Sequence, residues 1–422
     1  MKSTIAFPPE PARRISVESG GVPVEIRILQ IYFVSFPLFS QLQPFTLGAF
    51  DVTNALIMLA GVAFLLRALQ KAPLTPQLDS VSITLILLFL LGSLGLLHGS
   101  RVGLYDALPF KVLQFAILWV IALAHRRFAA RLSKAFLLGA ALAAIGGVAQ
   151  FLSPATWVFI DTYYLANVDA LLTSYAYQNR IASVSFFPPN GNYFGSYMAF
   201  AIVVLVGYRD LFNKGVVLSL LVLFSLGLVL SVSITSFLSV VLALFVLMFH
   251  SLLTTQSRFK SNRSIWIYYL ALPAGALLVA SYGVIAGYFL GVIDKLSRYF
   301  EPGNYGAPFR GLESRFLLWD AYFDQMSSGG QWFLGIGLGN VGLVDNTWLL
   351  LLVALGVLGF LTIFIGLSAA AIKAIKVFLG NPFAAAGMVM FLVMNTTALY
   401  ILYMPVIAGL FLVVYRPKAA MR

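Results

Sequence analysis

Residues 335–364, "GIGLGNVGLVDNTWLLLLVALGVLGFLTIF", run from a glycine-rich stretch through an Asp-Asn pair into a long apolar segment. The apolar segment is long enough to cross the hydrocarbon core of a bilayer, which takes about 20 helical residues. Asp345 and Asn346 therefore stand at the mouth of a predicted membrane helix. "GIGLGN" lacks the last glycine of a dinucleotide-binding fingerprint and has no βαβ unit around it, so we interpret it as a flexible turn.

The composition indicates that the whole chain, and not this segment alone, belongs in a membrane. Of the 422 residues, 60% are hydrophobic and 10% are charged, and the mean hydropathy is +0.93. A soluble domain cannot bury so much apolar surface, whereas lipid solvates it directly. The sequence predicts an all-α polytopic membrane protein with about twelve spans, near residues 28–46, 52–69, 80–98, 110–124, 135–152, 193–208, 215–232, 235–252, 265–290, 346–369, 383–398 and 400–415.

The lysines and arginines sort by side when these spans alternate across the bilayer. Both termini and every short basic connection fall on one face, which by the positive-inside rule is the cytoplasm. All but seven of the 27 Lys and Arg residues collect there, and no basic stripe indicates nucleic acid. The seven on the other side are Arg101, Lys111, Arg180, Lys295, Arg298, Arg310 and Arg315.

The chain is predicted to hold one membrane domain, residues 26–422, after a short tail. Residues 1–25 are polar, contain proline and lack the apolar core of a cleaved signal peptide, which predicts a disordered cytosolic tail. Two long, aromatic-rich outward loops are predicted at about 153–192 and 291–345, the second between spans nine and ten. With no cysteine in the sequence, disulfides and thiol chemistry are excluded.

The second loop contains "GLESRFLLWDAYFDQM", residues 311–326, whose spacing predicts an amphipathic helix. At about 100° per residue, Arg315 lies on the apolar face and the carboxylates on the opposite face. An arginine among apolar neighbours forms an ion pair, extends its head group to the interface, or binds an anion, and all three remain open. The apolar neighbours are Leu312, Leu318, Trp319, Tyr322 and Met326, and the carboxylates are Glu313, Asp320 and Asp324.

Arg180 supplies a second cation on the same side, in "QNRIASVSFFPPNGNYFG". The following Pro188-Pro189-Asn190-Gly191 turn is best explained as architecture before the next span. Two separated arginines at the outer interface would suit the diphosphate of a lipid. The serines of "SVSITS", residues 231–236, lie at a hairpin tip and are best explained as structural. The histidines are isolated and no carboxylates have metal-ligand spacing, so no metal is predicted.

These pieces together resemble the O-antigen polymerase and ligase superfamily, the Wzy-type polymerases and their lipopolysaccharide-ligase relatives. The resemblance covers about residues 175–366 and rests on "NRIASVSFFPPN", "SVSITS", "ESRFLLWD" and the "GIGLGN…DNTWL…LGVLGF" run, in that order. The sequence departs from the pattern in two places. The Ser-Arg common in the serine-rich hairpin is absent, and Asp345-Asn346 replaces the His-Asn pair of the ligases, which favours the polymerases.

The resemblance implies a GT-C-like fold and an inverting glycosyltransferase that needs neither metal nor cofactor. It implies a site on the periplasmic side of a bacterial inner membrane, and an undecaprenyl-diphosphate-linked glycan as donor. Asp345 would be the catalytic base, Arg180 and Arg315 would stabilise the departing diphosphate, and Arg310, Asn190, Asn346 and Trp319 would bind substrate. Asn346 would either orient the acceptor or cap the following helix. Implied partners are the bilayer, a chain-length regulator and a flippase.

Several alternatives remain open from the sequence. Asp345 would also suit the N-cap of the following helix, with no catalytic role. The protein would have the same site as an O-antigen ligase that transfers glycan to lipid A core. A flippase or transporter would also have many spans, but the apolar segments hold few ionisable residues of the kind that ion-coupled transport uses.

Overall fold

The computed structural model describes residues 21–39, 46–47, 50–70, 78–98, 107–152, 191–231, 233–254, 310–341, 346–378, 380–395 and 403–416. These residues form twelve α-helices and a two-residue antiparallel hairpin, β1 (Thr46–Leu47) with β2 (Phe50–Asp51), directly before the second helix. The helices are α1 (Val24–Phe39), α2 (Val52–Gln70), α3 (Ser80–His98), α4 (Leu108–Ala124), α5 (Ala129–Leu152), α6 (Gly191–Gly207), α7 (Lys214–Leu230), α8 (Ile234–Thr254), α9 (Arg310–Ser328), α10 (Thr347–Lys376), α11 (Pro382–Asn395) and α12 (Met404–Val414).

The described helices agree with most of the predicted spans. Eleven of them overlap a predicted span, and α9 corresponds to the predicted amphipathic helix. The predicted span near 265–290 lies outside the described residues. Residues 1–20 of the predicted tail, residues 153–190 of the first loop and residues 291–309 of the second lie outside them as well.

Proline positions fit the start of several helices. Pro109, Pro382 and Pro405 each lie in the first turn, of α4, α11 and α12 respectively. A backbone N–H in the first turn has no partner within its helix, so its absence in proline costs no hydrogen bond there. The apolar runs between these starts are helical because a helix satisfies all its inner backbone groups without water.

The outside of the bundle is apolar, as lipid contact requires. Leu65, Leu97 and Ile375 are 62%, 84% and 69% exposed. Four described segments are long and apolar enough to cross a membrane, and six apolar helices are shorter. The chain is therefore a membrane protein with several candidate transmembrane helices. The four long segments are Val52–Gln70, Ser80–Leu97, Arg126–Ala149 and Thr347–Lys376.

Helix α6 lies at the centre of the bundle, packed against α5, α7, α8 and α12. Its side chains are buried on every side, including Met198, Phe200 and Val204, each 0% exposed. The helix is apolar throughout its middle, which is the pattern of a helix surrounded by protein rather than one facing solvent. These four helices therefore share α6 as a common packing surface.

Helix ends gather at two ends of the bundle. At one end, called the basic end below, Oε1 of Glu25 in α1 lies 3.2 Å from Nη1 of Arg67 in α2 and 2.8 Å from Nε2 of His125, which follows α4. At the opposite end, Thr347 at the start of α10 donates a hydrogen bond to Asn395 at the end of α11. The helices that meet in this way, α1 with α2 and α10 with α11, run in opposite directions.

Helix α10 is broken at Gly356, whose φ of 68° and ψ of −169° are not helical. The segment before α10 passes alongside the break and supplies its missing hydrogen bonds. Ile336 N donates to Val353 O at 2.9 Å, and Val357 N donates to Trp332 O at 2.8 Å. Non-helical backbone within an apolar bundle is stable only where protein satisfies it in this way.

Candidate functional site

The amphipathic helix α9 has the two faces predicted from its sequence. Tyr322 is 7% exposed and Met326 is 0% exposed, whereas Asp320 and Asp324 are exposed. The spacing of seven residues between position 315 and Tyr322 still predicts that Arg315 shares the buried face. The prediction that the carboxylates form the solvated face is confirmed for Asp320 and Asp324.

The described part of the connection from α9 to α10, residues 329–341, is anchored at two places. Near α9, the rings of Phe323 and Trp332 stack with centroids 5.9 Å apart and planes at 7°. Farther along, Ile336 and Leu338 are 1% and 0% exposed. "GIGLGN" is a turn, as predicted, but the prediction that it is flexible is wrong, because its backbone is hydrogen-bonded to α10 and Ile336 and Leu338 are buried. This connection holds the end of α9 beside the first half of α10.

The first turn of α10 is capped by Asn346. Its Oδ1 accepts hydrogen bonds from the backbone nitrogens of Trp348 at 2.8 Å and Leu349 at 3.2 Å. These are two of the backbone donors that a helix start leaves without partners in the helix. The alternative in which Asp345 caps this helix is therefore wrong, since the cap position belongs to Asn346. The cap fixes the backbone directly after Asp345.

A buried polar pair joins α10 to α11 one residue after the cap. Thr347 and Asn395 are each 1% exposed, and Thr347 Oγ1 donates to Asn395 Oδ1 at 2.9 Å. Asn395 Nδ2 in turn donates to the carbonyl of Phe391 at 2.8 Å. The pairing depends on two helix ends that are distant in sequence, so no local pattern could have shown it.

The serine-rich hairpin between α7 and α8 lies at this same end and uses its hydroxyls internally. Ser231 Oγ donates to Leu228 O at 2.6 Å, and Ser233 Oγ donates to Ser236 Oγ at 2.8 Å. Ser236 Oγ donates to the carbonyl of Asn192, at the start of α6, at 3.3 Å. The structural interpretation of these serines is confirmed, because their hydroxyls close the hairpin and bind it to α6.

The structure describes some of the predicted site residues completely, some by their backbone alone, and others not at all. Two are described completely: Asn346 caps α10, and the half-buried Trp319 packs on the apolar face of α9. Arg310 and Arg315 lie in α9, and their side chains are outside the described residues. Asp345, Arg180 and Asn190 also lie outside the described residues.

The basic end holds a second polar cluster, which the sequence did not indicate. The carboxylate of Asp79 accepts hydrogen bonds from Ser82 Oγ at 2.7 Å, from Trp119 Nε1 at 3.2 Å and from the hydroxyl of Tyr415. Burial alone would raise the pKa of Asp79, but these hydrogen bonds outweigh burial and hold the pKa below its usual value. Burial and the bond to Asp79 both raise the pKa of Tyr415.

His125 is buried beside Glu25 at the same end. Burial lowers the pKa of His125, while the nearby Glu25 carboxylate opposes the change and only partly offsets it. The imidazole is therefore neutral near pH 7. Because a carboxylate only accepts hydrogen bonds, the 2.8 Å contact assigns the ring proton to Nε2.

The fold defines the class of the molecule, a helical membrane protein. Its candidate site lies where the start of α10 meets the end of α11, with α9 held beside the first half of α10. Within the described part of the chain, no three His, Asp or Glu side chains gather as a metal site would need. Comparison with protein-family models gives no match, and neither does comparison with curated protein sequences. The functional interpretation therefore depends on the residues and their geometry.

Proposed function

We propose that this chain is an inverting glycosyltransferase that joins undecaprenyl-diphosphate-linked oligosaccharide repeat units at the periplasmic face of a bacterial inner membrane. The observation that supports this best is the pair of faces on α9, where Tyr322 and Met326 are buried and Asp320 and Asp324 are exposed. The helical repeat predicts that Arg315, seven residues before Tyr322, shares the buried face. A cation on such a face suits a phosphate at the lipid interface better than it suits bulk water.

The connection between α9 and α10 supports the same proposal. The segment 332–337 is hydrogen-bonded to the break in α10, so this segment anchors the end of the amphipathic helix to α10, the helix that Asn346 caps. Asn346 fixes the start of α10, and Asp345 is its immediate neighbour. Catalytic groups are effective when the surrounding structure holds them in place, and this unit supplies that support.

The proposed reaction balances with these residues in their roles. A hydroxyl oxygen of the acceptor sugar attacks the anomeric carbon of the donor, and the bond from that carbon to the diphosphate oxygen breaks with inversion. Asp345 takes the hydroxyl proton, and the undecaprenyl diphosphate leaves with the electron pair. Arg180 and Arg315, with Arg310 nearby in α9, stabilise the negative charge that grows on the departing diphosphate.

The proposal includes a twelve-span, GT-C-like topology. In it α1–α8 and α10–α12 cross the membrane together with the segment near 265–290, α9 lies along the periplasmic interface, and the basic end faces the cytoplasm. Chain-length regulator and flippase partners are part of the same proposal.

An ion-coupled flippase fits the described residues less well. Among them the only fully buried carboxylate is that of Glu25, which lies at the basic end beside His125 and Arg67. Ion-coupled transport usually places ionisable groups near the middle of the membrane. The described helices therefore favour an enzyme at an interface.

The test is gel analysis of lipid-linked glycan after purified protein in detergent is mixed with undecaprenyl diphosphate repeat units and EDTA. We expect a ladder from the wild type. Loss of a general base costs about 10²–10⁴-fold in rate, so Asp345→Asn should give none on the same time scale. Arg315→Gln should also abolish the ladder, whereas Asp320→Asn, on the exposed face of the same helix, should leave it intact.

The remaining outcomes separate the alternatives. A wild-type ladder that persists in both Asp345→Asn and Arg315→Gln would refute the proposed site. If no ladder forms until lipid A core is added as acceptor, the protein is an O-antigen ligase with the same donor. If the substrate stays intact with either acceptor, the glycosyltransferase proposal is wrong and transport becomes the next hypothesis.

A further inference from the structure

A cavity of about 800 Å³ opens at the basic end, far along α10 from the proposed glycosyltransferase site. It lies where the start of α3, the ends of α4, α10 and α12, and the start of α11 come together. Its volume falls within the range of about 300–1,000 Å³ that is common for small-molecule sites. Five cationic side chains and one carboxylate line it: Arg126, Arg127, Lys373, Lys376 and Arg416, with Asp79.

The single carboxylate offsets only one of the five positive charges. Asp79 accepts hydrogen bonds from Ser82, Trp119 and Tyr415, so its oxygens are already occupied by neutral donors. In the described part of the chain, Arg416 is the cation of this lining that forms an ion pair, with Asp210 at 4.0 Å. Arg126, Arg127, Lys373 and Lys376 form no ion pair with any described carboxylate. The cavity therefore carries an excess of positive charge.

The four cations without ion pairs are exposed at the mouth, and the inner wall is apolar. Val81, Met388 and Leu410 lie along that wall, and Met388 and Leu410 are 4% and 2% exposed. A cationic rim above an apolar wall matches a molecule that has both an anionic group and a hydrocarbon part. A small inorganic ion alone would leave the apolar wall without contacts.

A buried acceptor gives an independent indication of a ligand. Asn381 Nδ2 donates to the carbonyl of Val414 at 3.0 Å, and this bond fixes the orientation of the amide. Its Oδ1, which belongs to a residue lining the cavity, is buried and has no hydrogen-bond partner. A buried acceptor without a donor costs free energy, so a ligand hydroxyl beside it would be favourable.

We propose that this cavity binds the phosphate group of an anionic amphiphile. The phosphate lies among Arg126, Arg127, Lys373 and Lys376, the first carbons of the hydrocarbon part contact the apolar wall, and a hydroxyl on the head group donates to Asn381. Glycerophospholipids with an anionic, hydroxyl-bearing head group have this combination. The cavity lies at the other end of the bundle from Asn346, so this proposal stands whether or not the chain transfers glycans.

The test is native mass spectrometry of the full chain in detergent, titrated with phosphatidylglycerol or with phosphatidylcholine. Loss of two cations beside a bound phosphate should weaken binding by about tenfold or more, because each cation attracts the anion electrostatically. We expect Lys373→Gln with Lys376→Gln to weaken phosphatidylglycerol binding by that factor. We expect phosphatidylcholine to bind the wild type at least tenfold more weakly than phosphatidylglycerol does.

The matched control removes two charges from the same end outside the cavity. Arg131 and Lys134 are exposed on α5 and do not line it. Arg131→Gln with Lys134→Gln should keep the wild-type affinity, and equal loss in both double variants would overturn the proposal. Val377→Trp narrows the mouth while keeping every cation, because Val377 lines the cavity and is 42% exposed. Unchanged lipid binding in this variant would also overturn it.

A competition arm separates the two sources of a phosphate group. Glycerol 3-phosphate carries the same anion without acyl chains. If millimolar glycerol 3-phosphate displaces bound phosphatidylglycerol from the wild type, the site recognises a soluble phosphate ester. If it does not, the apolar wall contributes to binding and the ligand is a lipid.

Discussion

Gly335 and Gly356 lie against each other backbone to backbone. A Cβ added to Gly335 would be 2.6 Å from the nitrogen of Gly356, and one added to Gly356 would be 2.6 Å from the nitrogen of Gly335. Both residues have positive φ, 75° and 68°. The close approach lets the turn before α10 hydrogen-bond to the break in the middle of that helix. Both positions therefore need a residue without a side chain.

Gly356→Ala should destabilise the protein strongly. A positive φ costs a residue with a Cβ about 1–2 kcal/mol, and forced overpacking adds about 1–3 kcal/mol. We expect a clear fall in the thermal unfolding midpoint. Tryptophan fluorescence of the protein in detergent measures this midpoint. Gly215→Ala is the control, because nothing lies within 4 Å of an added Cβ there. Equal midpoints for the two variants would show that the backbone contact contributes little.

Two substitutions of Asn346 separate its role as a helix cap from a role in the reaction. Serine caps helices about as well as asparagine does, whereas alanine costs about 1 kcal/mol. We therefore expect Asn346→Ala to lower the unfolding midpoint and Asn346→Ser to keep it, since Oδ1 accepts from Trp348 and Leu349. If Asn346 only caps, the glycan ladder follows stability in both variants. Loss of the ladder in stable Asn346→Ser would instead indicate that the amide contacts the acceptor.

Thr347→Val should destabilise the end of the bundle where α10 and α11 meet. Valine keeps the shape of threonine but removes the donor to Asn395, and loss of a buried hydrogen bond costs about 1–3 kcal/mol. Thr362→Val is a control in the same helix, because Thr362 Oγ1 bonds only to the carbonyl of Leu358 one turn earlier. The unfolding midpoints of both variants in detergent check the prediction. A larger effect of Thr362→Val would contradict it.

Stability should fall on acidification below about pH 6.5 through His125. Burial places the pKa of His125 in the folded protein below its ordinary value of 6.5. As the pH falls below 6.5 the unfolded chain therefore binds a proton first, and the folded state loses stability. The check is the unfolding midpoint in detergent from pH 8 to pH 5.

One histidine variant assigns this slope. Glutamine at position 125 keeps an N–H donor for Glu25 but does not titrate, so His125→Gln should flatten the profile between pH 6.5 and pH 5. A profile that is as steep in His125→Gln as in the wild type would assign the pH dependence to other groups.

The candidate site was only partly predictable from the sequence. The helix over α9 and its two faces followed from a helical repeat of apolar and acidic residues, which is local information. The sequence left the cap open between the two members of the Asp-Asn pair, because both residues suit that position and only the backbone conformation distinguishes them. The Thr347–Asn395 pair joins residues 48 positions apart, and no local pattern indicates it.

The sequence by itself determined the class of the protein and the order of its helices. Composition made it a membrane protein, and apolar run length fixed where most helices lie, because a bilayer imposes one length and one backbone hydrogen-bonding pattern on any span. Tertiary structure alone decided which helix ends meet, how "GIGLGN" satisfies the break at Gly356, and that cations from three separate stretches of chain line one cavity. These contacts join residues distant in sequence, and their free energy appears only when the helices pack.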